Sequence, residues 1–202
     1  MIILKKDKSH GARQKGACDF LSLALKRKTT YEFSDKKVKK KDIKKILEAA
    51  RWAPSCSNVQ PWNFIVVEDK KKIRALIECA SFGVFHTDPP VVIAIILDSS
   101  CWSKEDHRCV VNDKLGIMEA YLCISTCASN MIFEAESLGI NTSLLTPHLK
   151  EASKILQVRP EDSVPLLVCV GYEKKGAYQK IRERKDLNKL VYKDYFGGKY
   201  SL

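Results

Sequence analysis

The chain has 202 residues, 45% of them hydrophobic and 29% charged, with a net charge of +11 from 35 Lys and Arg against 24 Asp and Glu. That is enough chain for one α/β domain with a substantial core, and no apolar run is long enough to span a bilayer. The basic excess is spread along the chain without zinc-finger spacing or an RNP-like aromatic pattern, so solvated helix faces account for it and nucleic-acid binding is not expected.

Residues 1–16 are polar and basic and read as a loose N-terminal extension. Residues 18–26 (CDFLSLALK) read as a first helix, whose basic end suits the negative end of a helix dipole. Residues 29–33 have β-branched and aromatic character and read as a short extended piece. Over 38–53, Ile43, Ile46, Leu47 and Ala50 fall at the spacing of one buried helical stripe. Pro54 stops that helix. Ser55, Cys56, Ser57, Asn58 and Gln60 follow on an irregular segment before Pro61, and 64–67 read as a strand. A third helix covers 70–80, and 91–97 (VVIAIIL) reads as a strand buried on both faces.

Residues 98–112 are polar and read as an excursion or lid. Residues 115–138 are apolar nearly all round, which predicts a central helix, stopped by Gly139. Residues 142–146 read as a short extended run, 149–156 as a short helix, and 165–172 (PLLVCVGY) as another buried strand. The tail, 181–202, alternates charge with aromatics. No repeat or composition shift divides the chain, so one domain over 1–202 is expected.

The N-terminus places its apolar residues before its charges, the reverse of a secretory signal, which predicts the cytoplasm. The eight cysteines agree with a reducing compartment, since Cys79, Cys123, Cys127 and Cys169 lie inside apolar segments. Cys101 and Cys109 flank His107, but the spacing matches no compact zinc pattern, and no metal is expected.

No dinucleotide-binding glycine motif, P-loop, nucleophile elbow or zincin helix is present. Two basic clusters remain, Arg27-Lys28-Thr29 and Arg182-Glu183-Arg184, together with the polar loop around Asn58. The clusters read either as surface charge or as two halves of a phosphate site, because guanidinium forks bind phosphate in bidentate fashion. The loop reads either as a helix–strand connector or as the wall of a binding site.

The segments RKTTYEF (27–33), AARWAPSCSNVQPWNFIVV (49–67), ASNMIFEAESLGINTSLL (128–145), PLLVCVGY (165–172) and RERKDLNKLV (182–191) together resemble the nitroreductase family of FMN-dependent oxidoreductases. They occur in the family's order over nearly the whole chain from about Cys18, and A-P-S-x-x-N-x-Q-P-W is the most specific of them. The resemblance implies an α+β fold with a mixed central sheet flanked by helices. It also implies an intertwined homodimer with FMN at the subunit interface, the long central helix near the two-fold axis and the C-terminal segment reaching the partner.

By the same resemblance, Arg27, Lys28 and Thr29 match the segment that grips the FMN phosphate and ribityl chain. Arg182 and Arg184 match the late basic pair of the phosphate site. Pro54, Ser55, Cys56 and Asn58 match the loop given by the other subunit, with Gln60 supporting it. Leu144, Leu145 and Thr146 match the segment lining the ring, with a backbone N–H, that of Thr146, at flavin N5.

This chain departs from the family pattern at several positions. Tyr31 stands where relatives often carry a cation near flavin N1 and O2. Cys56 replaces a common serine, and Pro147 a frequent glycine. His86 falls near a position that contacts the ring in some relatives. The activity implied is hydride transfer from NADH or NADPH through flavin N5 to a nitroaromatic, quinone or similar acceptor in a ping-pong cycle, with no catalytic side chain required. The alternatives are a specialised reaction, such as reductive dehalogenation or flavin breakdown, which a lid at 98–112 would favour, or a flavin-binding redox sensor with little turnover.

Overall fold

A computed structural model describes residues 19–81, 87–102, 113–177 and 182–201. The N-terminal extension, His86 and residues 103–112 of the expected lid lie outside the described residues. The elements run α1 (Phe20–Lys26), α2 (Lys40–Arg51), β1 (Trp62–Val67), α3 (Lys70–Glu78), β2 (Val91–Leu97), α4 (Asp113–Ser137), β3 (Asn141–Leu145), α5 (Leu149–Leu156) and β4 (Ser163–Gly171).

The four strands form one sheet in the order β1-β2-β4-β3, and each neighbouring pair is antiparallel. A single parallel bridge, Thr29 to Thr142, adds the segment after α1 to the β3 edge, and Phe33 bridges Glu173 beyond the end of β4. The extended piece expected at 29–33 is therefore a bridge-held segment at the sheet edge, and its parallel bridge is the one mixed feature of an otherwise antiparallel sheet among the described residues. Helices cover both faces, as an α+β fold requires.

The period of a strand explains the two-sided core. Val91, Ile93 and Ile95 of β2 pack with Ile43, Ile46 and Ala50 of α2 and with Cys127 and Met131 of α4. Val92, Ala94 and Ile96 point the other way, onto Ile73, Leu76 and Ile77 of α3 and onto Ala152 and Leu156 of α5. Successive side chains leave opposite faces of a strand, so a strand covered on both sides must be apolar at every position. Each such aliphatic side chain contributes roughly 1.5–3 kcal/mol by leaving water.

Element ends differ from the sequence expectation where local chemistry intervenes. The second helix starts at Lys40, because Lys39 is extended. Val38 is instead buried against the core ahead of the helix. Asp69 caps α3, accepting from the Lys72 N–H at 2.8 Å. β1 begins two residues early, where Trp62 pairs with Leu97. β4 begins at Ser163, and Pro165 lies where the β2–β4 register shifts, so its missing N–H costs the ladder nothing. Gly139 ends α4 with a φ of +69°, as expected of a left-handed helix stop.

Candidate functional site

Three stretches of the chain carry the expected site residues, and the fold places each differently. The first is 27–33. Arg27 caps the end of α1, its N–H donating to the Leu23 carbonyl at 2.9 Å. The Lys28 ammonium pairs with the Glu173 carboxylate at 2.7 Å. Thr29 and Thr30 run along β3, with the Thr30 N–H donating to Thr142 O at 3.0 Å. The Phe33 N–H donates to the Thr87 hydroxyl at 2.8 Å, and the Thr87 N–H to the Tyr31 carbonyl at 3.1 Å.

That framework fixes Tyr31, whose phenol oxygen accepts from the Arg182 guanidinium. Tyr31 and Arg182 are 151 residues apart in sequence, so this hydrogen bond ties the segment that follows the first basic cluster to the second cluster. Arg184 turns back to donate to the Arg182 carbonyl at 3.1 Å. A planar donor fork held beside a hydroxyl-bearing segment is an arrangement suited to a phosphate.

The second stretch is the loop 54–60. It contains three non-glycine residues with positive φ, Ser57 at +45°, Asn58 at +60° and Gln60 at +50°. Such conformations cost free energy and persist only where surrounding contacts hold them. The loop supplies some contacts itself: the Gln60 N–H donates to Ser55 Oγ at 3.0 Å, and the Gln60 amide donates to the Asn58 carbonyl at 3.1 Å. One face of α4 supplies others, both to the loop and to the end of α2 before it. Glu119 Oε2 lies 3.7 Å from the Cys56 thiol, and Cys123 Sγ accepts from the Cys56 N–H at 3.4 Å. The Thr126 hydroxyl donates to the Pro54 carbonyl at 3.0 Å, and Asn130 donates to the Ala49 carbonyl at 2.9 Å.

Positions 119, 123, 126 and 130 follow the i, i+4, i+7, i+11 spacing of one helical stripe. Sequence reasoning named Cys123 only as a thiol within an apolar segment and did not single out the other three. Their signal was visible: a polar and small stripe in a helix apolar nearly all round. Glu173 was also missed, and nothing local to it marks it as the partner of Lys28.

The third stretch is the end of β3. Leu144 is 42% exposed, whereas Leu145 is buried among the side chains of α3, α5 and β4. Strand alternation separates the two leucines: the Leu144 side chain faces outward, and the Leu145 side chain is spent on the core, leaving only its backbone for any ligand. Thr146 is exposed, and its carbonyl accepts from the Ser81 N–H at 2.9 Å. The bridge from Pro147 to Ala80 holds the turn that follows.

Large apolar side chains remain at the surface of the protomer. They include Met118, Tyr121 and Leu122 on α4, and Tyr195 and Phe196 in the C-terminal segment, the last 88% exposed. Among the described residues no helix is long and apolar enough to cross a membrane, and no group of three His, Cys, Asp or Glu residues is placed to hold a metal ion.

The nitroreductase family sequence model matches residues 24–172. A protein of Archaeoglobus fulgidus, provisionally named an NADH dehydrogenase/NAD(P)H nitroreductase, is 31% identical over 159 residues, covering 76% of this chain and 85% of the relative. An iodotyrosine deiodinase of Thermotoga neapolitana is 47% identical over 161 residues, covering 74% of this chain and 86% of the relative. Among solved structures, an FMN-dependent nitroreductase from Clostridium difficile R20291 superposes with a TM-score of 0.64 at 28% identity, over 79% of this chain and 91% of that one. The chain belongs to the nitroreductase family, a family of oxidoreductases, and has its α+β fold.

Proposed function

We propose that this chain is an FMN-dependent oxidoreductase acting as a homodimer. The observation that carries the reading is the convergence of the 27–31 segment and Arg182 at the Tyr31 phenol. Arg27, Lys28, Thr29, Arg182 and Arg184 hold the cofactor phosphate, with Tyr31 orienting Arg182. Pro54, Ser55, Cys56, Asn58 and Gln60 form the wall given to the partner's site, and Leu144, Leu145 and Thr146 line the ring edge. The Thr146 backbone N–H, in an exposed turn held by Ser81 and Ala80, would be the donor to flavin N5. When bound, the flavin takes hydride from NADH or NADPH and passes it to an electron-poor acceptor such as a nitroaromatic or quinone.

In this protomer the loop 54–60 docks on α4, while the 27–31 segment docks on β3 and the C-terminal segment. The arrangement suits a site completed between two subunits. The exposed Met118, Tyr121 and Leu122 of α4 and the aromatic C-terminal segment supply apolar surface for that dimer. One domain and a reducing, cytoplasmic setting belong to the same reading.

Purified protein should be yellow, release FMN on denaturation, and oxidise NADH or NADPH steadily with a nitroaromatic acceptor. Protein that retains no FMN after reconstitution contradicts the proposal. A second reading, reductive dehalogenation, is favoured by the 47% identity to an iodotyrosine deiodinase. Iodide release from iodotyrosine by the reduced holoprotein, with slow nitroaromatic turnover, selects it over the first.

A further inference from the structure

Two cysteines lie side by side where the 54–60 loop rests on α4, and the proposed function uses neither for chemistry. The Cys56 N–H points at Cys123 Sγ, 3.4 Å away. The Cys56 thiol itself lies 3.7 Å from Glu119 Oε2, one helical turn before Cys123. The backbone nitrogen and Cβ of Cys56 share one Cα, so the Cys123 sulfur already sits beside the base of the Cys56 side chain. Rotation about χ1 of Cys56 would swing its sulfur from the Glu119 side toward the Cys123 side.

The neighbouring thiol behaves differently. Cys127 lies one turn further along α4, fully buried, and burial alone pushes its thiol up to about 12. Cys123 instead has a backbone donor, the Cys56 N–H, aimed at its sulfur. Cys56 is only partly buried and open to a small oxidant.

We propose that Cys56 and Cys123 are a reversible thiol–disulfide pair, an oxidation site that fastens the 54–60 loop to α4. The oxidant is hydrogen peroxide. Glu119 Oε2 takes the proton from Cys56 as its sulfur attacks one peroxide oxygen. The O–O bond breaks, hydroxide leaves and collects a proton to become water, and Cys56 becomes a sulfenic acid. The Cys123 sulfur, giving up its proton, then attacks that sulfur: an S–S bond forms, the S–O bond breaks, and the hydroxide leaves with that proton as a second water. Two thiols and one peroxide give one disulfide and two waters. A small dithiol reverses the step. The link closes a long loop of chain and holds the strained loop at the α4 contact.

The site is tested on the full-length protein, with and without bound flavin, by peroxide treatment, alkylation of remaining thiols, digestion and mass spectrometry. The expected product is a peptide pair joined through Cys56 and Cys123 within one chain, lighter by two hydrogen atoms and separated by dithiothreitol. In Cys123→Ala, peroxide should leave Cys56 as a sulfenic acid trapped by dimedone, whereas Cys127→Ala should form the link normally. Wild-type protein in which Cys56 is over-oxidised while Cys123 stays alkylatable overturns the proposal. So does a link between two chains, or a Cys56 that peroxide leaves unchanged.

Discussion

The phenol of Tyr31 accepts a hydrogen bond from the guanidinium of Arg182, joining segments 151 residues apart. Tyr31→Phe removes the acceptor and leaves Arg182 unoriented. An exposed bond of this kind is worth about 1 kcal/mol, so FMN affinity should fall about fivefold. Arg182→Ala and Arg27→Ala each delete a charged phosphate contact worth roughly 1.5–3 kcal/mol, and should weaken retention by more than tenfold. Fluorescence titration of apoprotein with FMN measures all three, and equal affinity in Tyr31→Phe and wild type removes the orienting role.

Lys28 is held by Glu173 rather than standing open toward a ligand. Glu173→Gln removes an anion from beside the proposed phosphate and loosens its grip on Lys28. FMN affinity should rise a few-fold. Stability should change by less than about 1 kcal/mol, since the pair is partly exposed. A fall in affinity shows that the pair is needed to shape the 27–31 segment.

The polar stripe of α4 makes its own prediction. Thr126→Val removes the donor to Pro54 O, and Asn130→Ala removes the donor to Ala49 O. Each should lower stability by about 1 kcal/mol in urea titrations. Thr126→Val, which contacts the 54–60 loop directly, should also weaken FMN binding. Asn130→Ala, which holds the end of α2, should do so less.

Gly171 sits where Phe33 and Pro90 close over the end of β4. A Cβ there would meet Pro90 Cδ at 2.6 Å and Phe33 Cδ1 at 2.8 Å. Proline cannot yield easily and Phe33 is buried. Gly171→Ala should cost about 1–3 kcal/mol by overpacking, seen as a lower melting temperature.

The buried thiols set an alkaline limit. Burial raises Cys127 and Cys169 from 9.0 to about 12. Below the unfolded value both states carry the proton and nothing is lost. Above it the unfolded chain releases protons that the folded chain keeps, so stability falls as pH rises from about 9 toward about 12. Melting curves across that range check the sign, and Cys127→Ala should soften the decline. At pH 8 iodoacetamide, which needs thiolate, should label Cys56 in the native protein and Cys127 and Cys169 only after unfolding.

Much of this was legible in the sequence. β2 and α5 end where their apolar patterns end, because Pro90 and Asp98 bound one and His148 and Gln157 the other. Local chemistry could not show which distant groups meet. Tyr31 with Arg182 and Lys28 with Glu173 are products of topology, set by the 29–33 segment running along β3. The positive φ values at Ser57, Asn58 and Gln60 were equally hidden, since no glycine marks them. The difference between Leu144 and Leu145 was hidden because alternation gives the phase only once a strand's inner face is known.

The central claim is that the 27–31 segment and the late arginines together grip an FMN phosphate. Its most direct test compares FMN with riboflavin, which lacks the phosphate, on wild type and on Arg182→Ala. Wild type should bind FMN far more tightly than riboflavin, and Arg182→Ala should lose most of that preference while its riboflavin affinity stays nearly constant. Equal preference for FMN in both proteins would contradict the account.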